Sequence, residues 1–440
     1  MNIYVDSKQK LMRIISGAAC ALLFSVLLIS IFAACSSSSA WDDAFKNMNK
    51  TEKGIPEVEL LFCKGQSILP VLLTTGQIDG YVAWQPYPAL AEMSGIGKVV
   101  ALSRDFPPYG AWHNHPCCVL VASNDILQNY QDMAMAVSVI LLSGGDYAKE
   151  HPVALSKITA DWLMGERDYL LGNRIISPIS LFNQSLSTFV FSSEVNEDWN
   201  ASAQILVDRM GDILNTIDDG NSTMHKGYKT QVSEFMDLGP YYRAVNWIAS
   251  QGKASSYLSN SSKPGNNLIR IGYLMIDHQA PLFAAVKNWR YFQKRYGIAL
   301  KPALDLKRPR YLELMINGQK AADVELISAP TGQNLMTLME QDNLDMAIVG
   351  ITPAIGSISL GCEARIIQPV QNLGSGLVLA TATGADDWDD FVSLAKASSA
   401  QGCPLKIGDP DLGTIADVIF QDALRASGLR GVKASGTFES

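Results

Sequence analysis

Two stretches of this chain alternate short apolar runs with spacers of helix length, and no other feature constrains the fold as strongly. The first stretch runs from Val58 to about Asp125, and the second begins at Leu268, after the polar segment Ser250–Asn267. Alternation of this kind predicts βα units and a largely parallel sheet. A segment rich in Gly, Ser and Asn is typical of a linker. We therefore expect two α/β units, one on each side of a linker.

The middle of the chain has a different pattern, because apolar residues recur at intervals of three and four in Asp146–Gly172 and Asn200–Ile217. This spacing predicts amphipathic helices. The expected organisation is a signal at 1–35, a tether at 36–56, one βα half of the second lobe at 57–125, a helical segment packing on the lobes at 126–249, a linker at 250–267, the first lobe at 268–380 and the first half of the second lobe at 381–440.

The amino terminus has the pattern of an export signal. Three basic residues precede an apolar stretch at 14–34, which ends at Cys35 and four serines. The sequence Ile31–Cys35 resembles a bacterial lipobox, which implies lipidation of Cys35 and anchoring to the outer face of the cytoplasmic membrane. The alternative is an uncleaved signal anchor, since about 20 apolar residues can span a bilayer. Both interpretations place the rest of the chain outside the cytoplasm.

Composition narrows the function classes further. A net charge of -8 and a pI near 5.2 argue against a nucleic-acid groove, which normally carries a basic excess. Cys63, Cys117, Cys118, Cys362 and Cys403 include no CxxC pair. We therefore expect no dense disulfide scaffold, although one bridge is possible outside the cell.

Two segments repeat one arrangement, in which a helix, a short strand and a polar or aromatic loop follow each other. One strand opens into the loop Trp84–Pro88, and the other opens into the loop Gly350–Ala354. Open α/β sheets bind ligands at the carboxyl ends of their strands. Both loops are therefore expected to face one crevice between two lobes, unless the repeat reflects βα geometry alone.

Four strings resemble the nitrate, sulfonate and taurine periplasmic binding protein family of ABC importers. They are GQIDGYVAWQPYPALAE at 76–92, IRIGYLMIDHQAPLFAA at 269–285, KIGDPDLGTIADVIFQDAL at 406–424 and DMAIVGITPAI at 345–355. The resemblance implies an α/β, type II, two-lobed periplasmic-binding-protein-like fold that closes on its ligand by hinge motion. It also implies a small-molecule ligand, an ABC permease as partner, no enzymatic activity, no cofactor and no nucleic-acid partner.

The same resemblance implies which residues line the cleft. From one lobe they are Asp277, His278, Gln279, Thr352, Pro353, Gly374 and Ser375, and from the other they are Gly413, Thr414, Trp84, Gln85 and Tyr87. Helix starts at 413–414 and after residue 279 offer free N–H groups that suit an oxyanion. Trp84 and Tyr87 offer flat apolar walls with polar tips. The expected ligand is a nitrate-, sulfonate- or taurine-like anion or a small heterocycle, and Gln85 stands where the family usually has Glu.

Other clusters invite alternative functions. The segment WHNHPCCVLVAS at 112–123 could supply metal ligands, but alternate strand residues point to opposite faces, so we expect no metal site. Four aspartates around Trp388 fit a helix start better than an active site. Thiamine pyrimidine-precursor synthases share the fold and use histidine and a cysteine-rich loop on a bound cofactor, which keeps a synthase-like enzyme or binder open. A sensory input domain would need a kinase or cyclase module, and the patterns above lead us to expect neither.

The order of the halves is reversed relative to the family. There the IRIGYL-type strand comes first and the GQIDGYVAWQPYP-type segment comes later, whereas here the second half precedes the first. We expect an intramolecular circular permutant, in which 428–440 lies beside Val58–Cys63. The alternative is a fragment of a tandem binding protein whose halves pair only with neighbouring copies.

Overall fold

A computed structural model describes residues 54–165, 167–171, 173–217, 229–250 and 268–434, without the side chains of 213–217. The predicted signal with Cys35, the tether up to residue 53 and the linker after Ser250 lie outside these residues. The strands are β1 Glu57–Phe62, β2 Gly80–Trp84, β3 Gly97–Leu102, β4 Pro116–Ser123, β5 Tyr169–Leu171, β6 Arg174–Ile176, β7 Phe189–Val190, β8 Leu268–Leu274, β9 Ile298–Pro302, β10 Tyr311–Ile316, β11 Gln319–Ala329, β12 Met346–Gly350, β13 Ala364–Leu373, β14 Ser375–Ala380, β15 Lys406–Asp409 and β16 Arg430–Lys433.

The helices of the described residues alternate with these strands or cluster in the middle of the chain. They are α1 Leu69–Thr74, α2 Tyr87–Ser94, α3 Asn124–Asn129, α4 Gln131–Glu150, α5 Pro152–Leu163, α6 Pro178–Leu186, α7 Glu197–Ile217, α8 Gly239–Ala249, α9 Ala280–Lys287, α10 Trp289–Tyr296, α11 Gly332–Glu340, α12 Ile351–Ser359, α13 Trp388–Ala400 and α14 Ile415–Ala426. Within the part of the chain described here, no helix combines the length and the apolar character needed to cross a membrane.

Two large mixed sheets organise the molecule. The six-stranded sheet has the order β16-β1-β15-β2-β14-β3, and the eight-stranded sheet has the order β7-β13-β4-β12-β8-β11-β10-β9. Strands β16, β1, β15 and β2 run parallel, as do β12, β8 and β11, while the remaining pairs are antiparallel. We call the two parts the six-stranded lobe and the eight-stranded lobe. The predicted two-lobed α/β fold of the periplasmic-binding-protein type is confirmed.

Within the described residues, the chain passes between the sheets twice, between Leu102 and Pro116 and between Leu373 and Ser375. The sequence pattern predicts β4 as part of the half at 57–125 and β14 as part of the first lobe at 268–380. Instead β4 pairs with β12 and β13, and β14 pairs with β2 and β3. Apolar runs show that a segment is a buried strand, but they do not show which sheet it joins.

The two ends of the described chain meet in the six-stranded lobe. Strand β1 lies between β15 and β16, with Glu57 opposite Arg430 and Leu60 opposite Lys433. The side chains of Arg430 and Glu57 form an ion pair. Val58 and Leu60 of β1 are fully buried. The carboxyl-terminal strand therefore covers one side of the first strand.

The mid-chain helices belong to the core of the molecule. Trp162 of α5 stacks on Phe283 of α9 with ring centroids 4.7 Å apart, and α4 packs on α8 and α9. The helical pattern predicted to reach residue 172 ends at Leu163 instead. Gly165 follows with a φ of +101°, and the chain then forms the hairpin β5–β6. Apolar periodicity cannot distinguish the end of a helix from a short hairpin.

Candidate functional site

One edge of the eight-stranded sheet collects most of the expected site residues. Strands β8 and β12 are parallel, so Asp277 and Thr352, which follow them, lie at the same edge. Strand β4 is antiparallel to β12 and pairs Cys118 with Gly350, so its amino end reaches this edge as well. The topology therefore brings Asp277, Thr352 and the two cysteines of β4 together, although they are distant in sequence.

The two passages between the lobes lie side by side at this edge. The backbone amide of Leu373 donates to the carbonyl of His115 at 3.1 Å, and the side-chain Nδ2 of Asn372 donates to Asn114 Oδ1 at 3.0 Å. Next along the chain, Gly374 accepts a hydrogen bond from the amide of Gln85 in the six-stranded lobe at 2.8 Å. Both connections between the lobes therefore border the candidate site.

Trp84 and Tyr87 approach the same place from the six-stranded lobe. Trp84 ends β2, pairs with Ser375 and is only 8% exposed. The Tyr87 side chain is half-buried, and burial followed by the charge of Asp277 raises the pKa of its hydroxyl. Tyr87 is therefore within electrostatic range of Asp277 in the other lobe. The expected aromatic wall is thus next to the expected polar edge.

Three expected residues have their polar groups engaged locally. The Gln85 side-chain oxygen accepts from the Ala89 amide at 3.2 Å and so serves the first turn of α2. The Gly413 amide donates to Asp417 Oδ2 at 2.7 Å, and the Thr414 side chain caps α14. These groups have intramolecular partners where the sequence suggested free donors for an oxyanion. Pro353 is buried with its ring against Gly332, at the start of α11.

Asp277 is buried, and one of its carboxylate oxygens has no hydrogen-bond partner. Its Oδ2 accepts a hydrogen bond from the Ser185 hydroxyl of α6, and its Oδ1 has no partner. Burial raises the pKa of Asp277 above its usual range, while His278 and the Ser185 hydroxyl oppose that shift. An unpaired buried acceptor is costly unless a ligand supplies a donor. The carboxyl group is therefore placed to receive an N–H or O–H group.

His278 follows β8 at the edge of the eight-stranded sheet and contacts both cysteines of β4. Its Nδ1 is 3.6 Å from Cys117 Sγ and 3.8 Å from Cys118 Sγ, and Phe189 packs on the ring at 4.7 Å. A hydrogen bond from Cys117, together with His278, lowers the pKa of the Cys118 thiol to about 6, although burial opposes this. The contact with Cys118 raises the pKa of His278 against the effect of its burial. These groups form a polarised, fully enclosed cluster.

The other histidines of the 112–123 segment are not part of this cluster. His115 is buried, with Nε2 2.7 Å from the Ser103 hydroxyl, and burial lowers its pKa to about 4. His113 is exposed, with Nε2 3.3 Å from the Asp198 carboxylate. The sequence predicts that His113, His115, Cys117 and Cys118 do not converge on one site. The two histidines indeed point to different partners. The expectation misjudged the adjacent cysteines, because both sulfurs at the start of β4 approach the same imidazole.

Unpartnered buried polar atoms mark the rest of the site. Each of the following atoms has almost no contact with solvent. Two belong to residues not yet introduced: Gln66, whose Oε1 accepts from the Trp84 amide, and Gln371 of β13. The atoms are Asp277 Oδ1, Gln279 Oε1, Thr352 Oγ1 and Gln371 Oε1 in the eight-stranded lobe, and Trp84 Nε1, Gln66 Nε2 and Ser375 Oγ in the six-stranded lobe. Other unpartnered buried atoms, such as Gln293 Oε1 and the Tyr296 hydroxyl of α10, lie away from these edges. Buried polar groups are normally hydrogen-bonded, so the atoms at the two edges are the ones that a ligand bound here would satisfy.

A pair of buried aspartates lies behind the start of α14. Asp409 and Asp417 are fully buried, and burial raises the pKa of Asp417 to about 7 and that of Asp409 well above its usual range. The Gly413 amide and the Gln421 side chain oppose the shift at Asp417. Above about pH 4 the unfolded chain loses the protons of these two carboxyl groups, whereas the folded protein still retains them.

We expect the free energy of unfolding to fall as the pH rises from about 4 to about 7. A folded-state pKa raised above the unfolded value of 3.8 means that the folded state binds more protons across this window. Asp417→Asn should flatten the slope, because an amide stays neutral. Melting temperatures between pH 5 and pH 8 measure this, with the exposed Asp386→Asn as control. An unchanged slope in Asp417→Asn contradicts the assignment.

A surface pocket of about 570 Å³ lies elsewhere. It is lined by Asn124, Gln128, Asp237 and Arg365 among others. Asn124 follows the carboxyl end of β4, whereas the two cysteines lie at its amino end. The pocket is therefore at the opposite edge of the eight-stranded sheet, and it is not part of the candidate site.

Sequence reasoning missed several residues near the site. Some of them occupy positions that a sequence pattern can identify, and one does not. Cys117 and Cys118 stand at the start of an apolar strand, and Asp409 ends one, which are positions that sequence can identify. Ser185 comes from a mid-chain helix far from any motif. Only the packing of α6 against the eight-stranded lobe brings it to Asp277.

Comparison with known proteins agrees with this architecture. A sequence model of the NMT1-like family matches residues 57–163 and 262–434, which is more than half of the chain. An uncharacterized protein of Methanocaldococcus jannaschii is 35% identical over 101 residues, covering 23% of this chain and 68% of that protein. No solved structure shows a significant match. The chain belongs to the NMT1-like family, which is part of the nitrate/sulfonate/taurine-binding periplasmic protein group.

Proposed function

We propose that this protein is the extracytoplasmic solute-binding component of an ABC importer and that it encloses one small polar solute between its lobes. The observation that carries the proposal is the set of unpartnered buried polar atoms contributed by both lobes beside the two connections. Opening at these connections would expose the site, and closing would desolvate the solute. Family membership supports a binding role.

Within the expected ligand classes, we favour a small nitrogen heterocycle over an oxyanion. Asp277 offers a buried oxygen without a partner, and Gln279 offers another. The expected site residues include no lysine or arginine, and the Gly413 amide already donates to Asp417. A ligand with N–H donors and a flat ring satisfies the carboxylate and fits the wall formed by Trp84 and Tyr87.

We further propose that the two halves form one circularly permuted binding unit. The pairing of β1 with β15 and β16, and of β2 and β3 with β14, supports closure within one molecule. The tandem-fragment alternative requires the halves to pair with neighbouring copies instead. Lipidation of Cys35 would anchor the unit to the outer face of the cytoplasmic membrane, beside its permease.

A thermal-shift screen tests the proposed function. We expect a small N–H-bearing heterocycle, such as a pyrimidine, to raise the melting temperature without being consumed. A ligand at a hundredfold excess over its Kd stabilises a protein by about 2.7 kcal/mol. Nitrate, taurine, alkanesulfonates and bicarbonate form the comparison set. Stabilisation by these anions alone would contradict the ligand class, and no stabilisation by any compound, including growth-medium extract, would contradict the binding role.

Trp84→Ala should abolish that shift, because it removes one wall of the site. Truncating a buried tryptophan costs about 3–5 kcal/mol of stability, so a matched variant is needed. Trp289→Ala removes a half-buried indole that contacts Arg290 and Lys301 outside the site. Stabilisation by ligand should persist in Trp289→Ala.

One observation favours a second function, a synthase-like enzyme. The enclosed cluster of His278 with Cys117 and Cys118 provides a thiol and an imidazole of altered pKa beside the candidate cleft. A binder leaves its ligand unchanged, whereas an enzyme converts it. Mass spectrometry of the stabilising ligand after prolonged incubation distinguishes the two functions.

A further inference from the structure

The cluster of Cys117, Cys118 and His278 has the separations of a metal site. The two sulfurs are 4.0 Å apart, and His278 Nδ1 is 3.6 and 3.8 Å from them. Zinc lies about 2.3 Å from thiolate sulfur and about 2.0–2.1 Å from imidazole nitrogen. Bond angles between the tetrahedral and trigonal values then give about 3.8–4.0 Å between sulfurs and about 3.6–3.8 Å from sulfur to nitrogen. The three separations therefore match those around one ion.

The burial of the cluster is consistent with a metal site. Both cysteines are 2% exposed and His278 is 0% exposed, so solvent and oxidants do not compete freely for these groups. The Gln279 amide is 3.9 Å from Cys118 Sγ, and Phe189 packs on the imidazole. The far nitrogen of His278 lies against Gly374. That nitrogen, Nε2, has no hydrogen-bond partner, so the ring is held by the packing of Phe189 and not by an outer hydrogen bond.

We propose that Cys117, Cys118 and His278 bind one thiophilic divalent cation of the zinc class, with the fourth coordination position left to a further ligand that enters when the lobes open. Among the described residues, these three are the ones that converge as potential ligands. Two thiolates and a neutral imidazole balance the charge of a divalent ion, and binding releases two thiol protons to solvent. Three protein ligands with a vacant fourth position are typical of zinc sites that bind a further molecule.

The open position gives the cation a role in the proposed function, on which this part of the inference rests. A ring nitrogen of a small heterocycle could occupy it while an N–H group of the same ring meets Asp277 Oδ1. The cation would thereby select solutes that combine a basic nitrogen with an N–H donor.

Cobalt substitution tests the site directly. The full-length protein, reduced and treated with chelator, is titrated with Co²⁺ in the absence of solute. We expect one ion per chain, a thiolate-to-cobalt charge-transfer band in the near ultraviolet, and loss of the band when Zn²⁺ is added. Cys118→Ser, Cys117→Ser and His278→Gln should each weaken binding by about tenfold or more.

Cys403→Ser is the matched control, because Cys403 is an exposed free thiol outside the cluster. Unchanged cobalt affinity and band intensity in Cys118→Ser and Cys117→Ser, or loss of the band in Cys403→Ser, overturns the proposal. X-ray absorption of the zinc-loaded wild type does not depend on whether the variants fold. It should show two sulfur neighbours, and a first shell without sulfur overturns the site.

The metal titration and the solute screen have separate outcomes. Cobalt binding without any stabilising solute would leave the metal site standing and contradict the binding role. Solute stabilisation without cobalt binding would contradict the metal site alone. If both hold, chelation should weaken solute binding about tenfold or more, as removal of a direct ligand contact implies, and unchanged solute affinity would overturn the open-position role.

Discussion

Gly374→Ala should destabilise the protein by about 2–4 kcal/mol and abolish solute binding. Gly374 has a φ of +96°, which is unfavourable for alanine, and a Cβ there would stand 2.6 Å from His278 Nε2 and 2.9 Å from Gln371 Nε2. Overpacking of a tight site costs about 1–3 kcal/mol, and the backbone conformation adds about 1 kcal/mol. The residue also lies in one of the two connections between the lobes. Chemical denaturation and the ligand-induced thermal shift measure the two effects.

Gly384→Ala separates the steric effect from the backbone effect. Gly384 has a φ of +72°, but no atom lies within 4 Å of the position that a Cβ would take. We expect this variant to lose only about 1 kcal/mol and to keep solute binding. Equal losses in the two variants would show that contact with His278 is not what requires glycine at position 374.

Neither half of the chain should fold when it is expressed alone. Residues 1–250 lack β15 and β14, which lie between β1, β2 and β3, and they lack β12 and β13, which lie on either side of β4. Residues 268–440 lack β1 and β2 from the six-stranded sheet and β4 from the eight-stranded sheet. Unpaired central strands leave buried backbone groups unsatisfied. We expect insoluble or uncooperative products from each half, and a soluble complex with a cooperative transition when both are coexpressed.

Cleavage of the intact protein provides the control. A protease site introduced within 251–267 should yield two fragments that elute together at the size of the uncut monomer and bind solute unchanged. Fragments that separate after cleavage, or a half that folds and binds as a homodimer, would favour the tandem-fragment alternative over the permuted unit.

Strand patterns predicted the fold well because the central strands are almost uniformly apolar. VELLF, GYVAW and LIRIGYL all became strands close to where the sequence placed them. Their sheet membership was harder to predict, since β4 carries the same apolar signal whichever lobe it joins. Antiparallel pairing of β4 with β12 depends on the path of the intervening helices, which periodicity does not encode.

The candidate site was predictable from sequence only where its residues follow parallel strands. Residues after strand ends, such as Asp277 and Thr352, follow from the rule that ligands bind at the carboxyl edge of parallel strands. Cys117 and Cys118 lie at the amino end of an antiparallel strand, where that rule does not apply. Gly413 is correctly placed at a helix start, but the Asp417 side chain four residues later occupies its amide.

The position of β1 between β15 and β16 also determines when the protein can finish folding. Glu57 and its partner Arg430 are separated by 373 residues. A chain that emerges from its amino end therefore presents β1 long before either neighbouring strand exists. Contacts between distant residues slow folding and leave apolar edges exposed in the meantime. If this chain is exported as proposed, its first strand depends on assistance, or on passage across the membrane in an unfolded state, until the last strand arrives.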